Sequence, residues 1–272
     1  MFIAKVKRIV KEMFGTKNIV NVKIDTLAKS DELESMVVMV TGGDSGIGKS
    51  TALSALNAGA KVIIVGRNED KLRNAVIEMG GVNVKYIVQD VNYIENYDEF
   101  FDHATHLFDH EVDALVNNAG VYIQKNPMEY TKKDFFNLFL SDLQSPIILI
   151  QKYVQYCIDN GIKGNIVCTS SNRSLFGDDG PYGVAKRGLN SYIEGMALRY
   201  IDFIRINGVA PGMTATGINN IDVSGNMYDA GPKNKRVLAP QEIAEVIVFL
   251  LSNRSQCITG AVIPCDCGDR LR

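Results

Sequence analysis

Tryptophan is absent from this chain of 272 residues, histidine occurs three times and proline seven times. Cysteine is also scarce, and the five cysteines form an odd, scattered set that fits a reducing cytoplasm better than a disulfide framework. No apolar run approaches the roughly 20 residues of a transmembrane helix, and the N-terminus lacks the continuous apolar stretch of a secretory signal peptide. We therefore expect a cytoplasmic protein without an integral membrane span.

An excess of charge of one sign is missing as well. Lysine and arginine total 29 against 31 aspartates and glutamates, so the formal net charge is -2. A nucleic-acid-binding domain usually carries a basic excess, so nucleic acid is not an expected partner. Hydrophobic residues make up 46% of the chain, which is ordinary for a globular protein and excludes disordered and collagen-like classes.

From residue 35 onward, short apolar runs alternate with longer amphipathic stretches. The runs are rich in valine and isoleucine and apolar on both faces, as in parallel strands covered on both sides. Strands are predicted at 36–40, 61–65, 84–88, 113–116, 164–169, 203–208 and 260–264, and helices at 46–58, 69–78, 93–108, 132–160, 182–200 and 241–251. This alternation predicts one α/β domain over residues 35–272 with a doubly wound parallel sheet of the Rossmann-like type.

Residues 1–34 lie outside this alternation and are expected to form a helical N-terminal extension. Phe2, Ile9 and Met13 recur at helical spacing among basic residues, which predicts a basic amphipathic helix. Such a helix docks on its own domain or a neighbouring subunit, makes peripheral contact with an anionic membrane, or serves as a targeting peptide. Residues 18–25 alternate weakly, as an exposed edge strand does.

A glycine-rich loop, TGGDSGIG over residues 41–48, lies between the first predicted strand and the first predicted helix. Glycines at 42, 46 and 48 allow a tight turn and a close approach of the backbone to a pyrophosphate. The helix that follows offers unpaired N–H groups and the positive end of its dipole to that anion. The loop therefore predicts a dinucleotide-binding site.

The second predicted strand ends without an acidic residue. An NAD site normally places a carboxylate there to bind the ribose 2′-hydroxyl, but this position holds Gly66 and is followed by Arg67. A guanidinium suits a 2′-phosphate through its charge and its forked donors. The sequence therefore favours NADP(H) over NAD(H).

Tyr182 and Lys186 are spaced i and i+4 on a predicted helix, so they share one face. A free tyrosine has a pKa of about 10, and a neighbouring ammonium lowers that pKa. Such a tyrosine passes a proton to a carbonyl oxygen as the carbonyl becomes an alcohol. Further motifs follow other predicted strands, at the sheet edge where ligands bind, namely Asp90-Val91, Asn117–Gly120, Ser170-Ser171 and Pro211–Thr216.

Together these motifs closely resemble the single-domain form of the short-chain dehydrogenase/reductase family, over about residues 35–268. The resemblance implies an oxidoreductase that moves a hydride between a nicotinamide cofactor and the carbonyl or alcohol carbon of a small molecule. Tyr182 would be the proton donor and acceptor, and Lys186 would bind the nicotinamide ribose and lower the pKa of Tyr182. Ser171, with Ser170 as the alternative, would hold the substrate oxygen.

The resemblance also implies the cofactor contacts and the assembly. A homodimer or homotetramer would form through the helices at 132–160 and 182–200. The expected cofactor-binding residues are Thr41, Gly42, Asp44, Ser45, Gly46, Ile47, Gly48, Arg67, Asp90, Val91, Asn117, Ala119, Gly120, Tyr182, Lys186, Pro211, Gly212, Thr214 and Thr216.

The chain departs from the family pattern at Asp142, where the family usually has an asparagine that completes the catalytic group. In the family this asparagine holds a water molecule that links Lys186 to solvent. A buried carboxylate at this position either accepts a hydrogen bond from that water or forms an ion pair with Lys186 that alters the pKa of Tyr182. The departure also keeps open a non-catalytic NADP-binding or scaffold protein of the same fold. A sugar-nucleotide epimerase or dehydratase would need a longer C-terminal domain and a differently spaced glycine loop.

The segments 172–181 and 213–235 are expected to hold the substrate. Arg173 either meets an anionic substrate or pairs with Asp178 or Asp179, and pairing is the favoured interpretation. The three histidines are spaced along one predicted outer helix, so we expect a solvated face and no metal site.

Overall fold

A computed structural model describes residues 19–22, 29–216 and 226–271. Its strands form one parallel sheet in the order β3-β2-β1-β4-β5-β6-β7, so the predicted doubly wound sheet is confirmed. The strand order reverses between β1 and β4, which opens a crevice at the carboxyl ends of the strands. The strands are β1 (Val37–Thr41), β2 (Lys61–Gly66), β3 (Val84–Val88), β4 (Ala114–Asn117), β5 (Gly164–Thr169), β6 (Ile204–Pro211) and β7 (Val262–Cys265).

The helices connect successive strands, and most of their ends lie within a few residues of the predicted ones. The α-helices of the described residues are α1 (Gly46–Asn57), α2 (Glu69–Glu78), α3 (Tyr97–His106), α4 (Lys132–Phe139), α5 (Ser145–Asp159), α6 (Pro181–Arg199) and α7 (Pro240–Leu251). Short 3-10 turns lie at Pro127–Glu129, Asn172–Leu175 and Asn253–Ser255.

Helices cover the sheet on both faces. Helices α3, α5 and α6 pack on the face that contains Val37 and Met39, whereas α1, α2 and α7 pack on the face that contains Val38 and Val40. All five residues of β1 are buried. Burial of such a side chain contributes about 1.5–3 kcal/mol, so strands without a polar face are the stable solution for this architecture.

The predicted single helix over residues 132–160 is wrong in its middle. It divides into α4 and α5, which are joined by a π-helical turn at Leu140–Gln144. Pro146 lies in the first turn of α5 and has no N–H to donate to the turn before it. The wider π turn accommodates this loss, and π turns of this kind recur at functional sites.

The predicted amphipathic helix of the N-terminal extension lies outside the described residues. The described part of the predicted edge strand, residues 19–22, forms no strand, because its hydrogen bonds are made elsewhere. The Val20 N–H donates to Asn226 Oδ1 at 2.8 Å, and the Met227 N–H donates to the Val20 carbonyl at 3.1 Å. Val20 and Val22 pack against a small apolar cluster, Ala215, Met227, Val237 and Ala239.

Thr41, the last residue of β1, connects the glycine-rich loop to the segment after β4. Its Oγ1 accepts hydrogen bonds from the N–H groups of Asn118 at 2.9 Å and Ala119 at 3.0 Å, and it donates to the Val116 carbonyl at 3.4 Å. The side chain is fully buried. One hydroxyl therefore holds the two loops that flank the crevice in register.

Replacing Thr41 by valine keeps the shape but leaves two N–H groups without an acceptor. We expect Thr41→Val to lower the free energy of unfolding by roughly 2–4 kcal/mol, because each buried unpaired group costs about 1–3 kcal/mol. Thr41→Ser, which keeps the hydroxyl, is the matched control and should lose much less. Urea denaturation followed by circular dichroism measures both, and equal stability of the two variants would contradict this role.

Candidate active site

The loop between β1 and α1 is shaped for an anion. Gly46 has a φ of +52°, which residues with a side chain rarely adopt. A Cβ at Gly48 would lie 2.2 Å from the Gly42 carbonyl oxygen, so only glycine fits this close approach. The side chain of Ser45 does not cap α1, which leaves the first N–H groups of the helix available. The cradle therefore fits the pyrophosphate of a dinucleotide.

The other predicted cofactor-binding residues lie along the same edge, because parallel strands end there together. Asn117 ends β4 and donates to the Pro146 carbonyl at 3.0 Å. Beyond β6, Thr214 donates to the Gly212 carbonyl at 2.9 Å. The methyl group of Thr216 would lie 3.1 Å from a Cβ at Gly46, so this segment reaches the glycine-rich loop.

Arg67 and Asp90 follow β2 and β3, which are neighbours in the sheet. Arg67 Nη1 lies 3.8 Å from Asp90 Oδ2, and the Arg67 side chain is 68% exposed. Asp90 also accepts a hydrogen bond from the Asn92 N–H at 3.0 Å. An exposed pair at this distance is weak, so the guanidinium is free to turn toward an anion at the strand ends.

Tyr182 and Lys186 share one face of α6, as their spacing predicts. The Lys186 ammonium lies 5.8 Å from the centroid of the Tyr182 ring. It donates a hydrogen bond to the Thr169 carbonyl at the end of β5, at 2.9 Å. Lys186 is 3% exposed, so its charge must be balanced by protein groups.

Asp142 supplies that balance from the middle of the π turn. Its Oδ1 lies 3.1 Å from Lys186 Nζ, and its Oδ2 accepts a hydrogen bond from the Val121 N–H at 3.3 Å. The carboxylate is fully buried. Of the two arrangements open to an aspartate here, the structure therefore shows the ion pair. Gly120 leaves the room for it, because a Cβ there would lie 2.5 Å from Oδ1.

The ion pair changes the acidity that was expected of Tyr182. Desolvation raises the pKa of Tyr182 above its ordinary value, and the Asp142 charge raises it further, against the lowering effects of Lys186 and of a hydrogen bond from Ser171. Burial lowers the pKa of Lys186, but Asp142 and Tyr182 outweigh burial and raise it overall. Lys186 lowers the pKa of Tyr182 as predicted, but the net shift is upward.

The two candidate serines have different partners. The Ser171 hydroxyl accepts a hydrogen bond from the Arg173 N–H at 3.2 Å, and it lies near enough to the Tyr182 phenol to lower the pKa of that group. Ser170 instead donates to Asn190 Oδ1 at 2.6 Å and lies 3.2 Å from the Ser174 hydroxyl. Ser171 therefore shares the Tyr182 surroundings, whereas the Ser170 hydroxyl is engaged inside the protein.

The segment beside Ser171 is held by an ion pair. Arg173 Nη2 lies 2.7 Å from Asp178 Oδ1, which confirms the predicted pairing, and Arg173 Nη1 donates to the Tyr122 hydroxyl at 3.4 Å. The Tyr122 ring packs edge-on against the Tyr182 ring, with their centroids 5.0 Å apart. The sequence did not predict a role for Tyr122, because no local pattern links residues 122, 173 and 182.

The described part of the chain contains neither a metal-binding cluster nor a membrane-spanning helix. No group of three or more histidine, cysteine, aspartate or glutamate side chains within it is placed to hold a metal ion. The same residues contain no helix that is both long enough and apolar enough to cross a membrane.

Comparison with known proteins places this geometry in a family. A profile for the family described as enoyl-(acyl carrier protein) reductase matches residues 42–269. The short-chain dehydrogenase/reductase olcF of Penicillium canescens is 31% identical over 86% of this chain and 96% of its own. The NADP-dependent (R)-specific alcohol dehydrogenase of Lentilactobacillus kefiri is 28% identical over 88% of this chain and 98% of its own.

Solved structures agree with these relatives. A protein described as a short chain dehydrogenase/reductase family protein is 29% identical, with a TM-score of 0.77 over 89% of this chain and 100% of its own. The fold, the glycine-rich loop and the Tyr182–Lys186 pair all lie within the matched region. The chain therefore belongs to the short-chain dehydrogenase/reductase family of oxidoreductases, which act on alcohol or carbonyl groups.

Proposed function

We propose that the protein transfers a hydride between NADP(H) and the carbonyl or alcohol carbon of a small molecule, with Tyr182 as proton donor and acceptor. The observation that carries the proposal is the meeting of Ser171, Tyr182 and Lys186 at the same sheet edge as the glycine-rich loop. The dinucleotide supplies the hydride when it is bound. The protein supplies orientation and the proton.

We propose the following roles for the side chains, which their contacts support. Ser171 holds the substrate oxygen and stabilises the negative charge that develops on it. Tyr182 gives its proton to that oxygen in reduction and receives it back in oxidation. Lys186 binds the nicotinamide ribose and stabilises the Tyr182 phenolate through its charge. Asp142 keeps Lys186 ionised, so we assign it a positioning role.

The preference for NADP(H) rests on Arg67. Gly66 ends β2 without a side chain, and the exposed guanidinium of Arg67 follows at once. A 2′-phosphate would pair with this guanidinium through charge and forked donors. The Lentilactobacillus kefiri relative is named as NADP-dependent, which supports the same preference here.

The assembly we propose is a homodimer or homotetramer that pairs through α5 and α6. A groove between these helices is lined by Leu143, Ile147, Gly188, Ser191, Tyr192, Gly195, Met196 and Arg199. Small residues at 188, 191 and 195 let a second helix approach closely.

The cytoplasmic location remains a prediction that rests on the cysteine pattern.

Loss of the Tyr182 hydroxyl should abolish most of the turnover. We expect Tyr182→Phe to lower kcat by roughly 10²–10⁴-fold, the usual contribution of a general acid. The measurement is loss of reduced-nicotinamide absorbance with a panel of ketones, aldehydes and sugar derivatives, alongside the Kd of NADPH, which should change little. Tyr122→Phe keeps the packed ring and is the control that should retain activity.

Near-normal turnover of Tyr182→Phe would overturn this mechanism. If the wild-type protein binds NADPH tightly but turns over no member of the panel, the non-catalytic NADP-binding or scaffold function becomes the better description. If it binds no nicotinamide dinucleotide, both functions are wrong.

Alanine substitutions of the two serines should affect different properties, mainly kcat for Ser171 and mainly the free energy of unfolding for Ser170. We expect Ser171→Ala to lower kcat by roughly 10²-fold or more, as for other lost oxyanion contacts, and to lower the free energy of unfolding by no more than the roughly 1 kcal/mol of its cap on the Arg173 N–H. Ser170→Ala should instead lower the free energy of unfolding by about 1–2 kcal/mol, because Asn190 Oδ1 loses its hydrogen-bond donor, and should lower kcat much less than Ser171→Ala does. Kinetics and urea denaturation of both variants test the assignment, which the reverse pattern would refute.

Removing the Asp142 charge should shift the pH dependence of turnover. Asp142 raises the pKa of Tyr182, so Asp142→Asn lowers it. Alcohol oxidation needs the phenolate and rises as pH passes this pKa, while carbonyl reduction needs the phenol and falls there. Both limbs of the profile should therefore move to lower pH in Asp142→Asn. Asp159→Asn, the same change at the exposed end of α5, should leave the profile in place, and superimposable profiles of all three proteins would contradict this role.

A further inference from the structure

A carboxylate occupies the end of β2 although the residue there is glycine. A Cβ built on Gly66 would lie 3.3 Å from Asp44 Oδ1 and 3.6 Å from Asp44 Cγ. The Asp44 side chain, which comes from the glycine-rich loop, therefore lies over the space that a side chain at the strand end would enter. An acidic residue at that strand end is the usual means of binding a ribose 2′-hydroxyl. Here the strand-end residue has no side chain, and a carboxylate from the glycine-rich loop lies beside it.

The Asp44 carboxylate is available for a ligand. It is partly exposed, and it makes no hydrogen bond or ion pair with another residue in the described ranges. Ionised carboxylates accept hydrogen bonds and have no proton to donate. The group is therefore suited to hydroxyl donors and unsuited to a second anion.

The neighbouring cation does not neutralise Asp44. Arg67 Nη1 is directed toward Asp90, at 3.8 Å from its Oδ2. The strand ends thus carry two carboxylates and one guanidinium, a net charge of -1 from these three groups. A phosphate dianion placed here would gain from Arg67 and lose from Asp44, whereas an uncharged hydroxyl would gain from Asp44 alone.

Resting on the proposed dinucleotide binding, we propose that Asp44 is a specificity-determining residue that supplies the missing strand-end carboxylate. It accepts hydrogen bonds from the adenosine ribose hydroxyls of NAD(H) and repels the 2′-phosphate of NADP(H). Arg67 and Asp44 act in opposition, so the protein binds both cofactors, and Asp44 limits the preference for NADP(H).

The test compares two ligands that differ only in the 2′-phosphate. The Kd values of NADPH and NADH are measured with the full chain by the fluorescence of the reduced nicotinamide, for the wild type, Asp44→Asn and Asp44→Ala. Effects of a substitution on loop shape, pyrophosphate binding or nicotinamide binding act on both ligands and cancel in the ratio. Asp70→Asn is the matched control, because it removes an equal charge from the exposed start of α2.

We expect the wild type to bind both ligands. Asp44→Asn and Asp44→Ala should shift the ratio of the two Kd values about tenfold or more toward NADPH, since a unit charge beside a phosphate dianion is removed, and Asp70→Asn should leave the ratio close to that of the wild type. An unchanged ratio in both Asp44 variants would overturn the inference and leave the proposed function intact. Failure of the wild type to bind either ligand would overturn the proposed function, and this inference with it.

Discussion

An ammonium group buried away from water needs an opposite charge and hydrogen-bond acceptors from the protein. The site is arranged around the groups that meet this need for Lys186. These two groups come from different parts of the chain. Asp142 belongs to the π turn and Thr169 to the end of β5. Because one charge needs both, the helix that carries Lys186 is held against the sheet and against the π turn at once. Tyr182, one turn earlier on that helix, takes its position from these contacts.

The π turn is the structural condition for this arrangement. A regular α-helix through 132–160 would need a backbone N–H donor at Pro146, and proline has none. The extra width of the turn places Asp142 in the interior, where Gly120 provides the room. The sequence identifies Asp142 as the departure from the family pattern, because that assignment depends only on the number of residues along the chain. It does not depend on whether the helix there is α or π. The periodic pattern could not reveal the turn, since the apolar residues on both sides keep helical spacing.

The features that the sequence predicts well are those that depend on interactions between residues close together in the chain. Strand and helix limits follow from local periodicity, and the Tyr182–Lys186 contact follows from helical geometry. The glycine-rich loop was recognisable because its glycines are required by backbone approach rather than by distant contacts. The net acidity of Tyr182 was not predictable, because desolvation depends on neighbours such as Tyr122 that come from another loop. The family pattern favours Ser171 over Ser170, but the sequence does not show why the Ser170 hydroxyl is occupied, because its acceptor Asn190 comes from α6.

The hydrogen bonds that engage Ser170 have a consequence for the precision of the site. Ser170, Ser174 and Asn190 join the loop after β5 to α6 two turns beyond Tyr182. This cross-link restricts the motion of the loop relative to the helix, and it thereby limits changes in the spacing of Ser171 and Tyr182. The entropy of bringing those two hydroxyls together is then lost once, during folding, and does not recur with each turnover. A serine that never touches the reacting atoms thus contributes to catalysis as preorganisation.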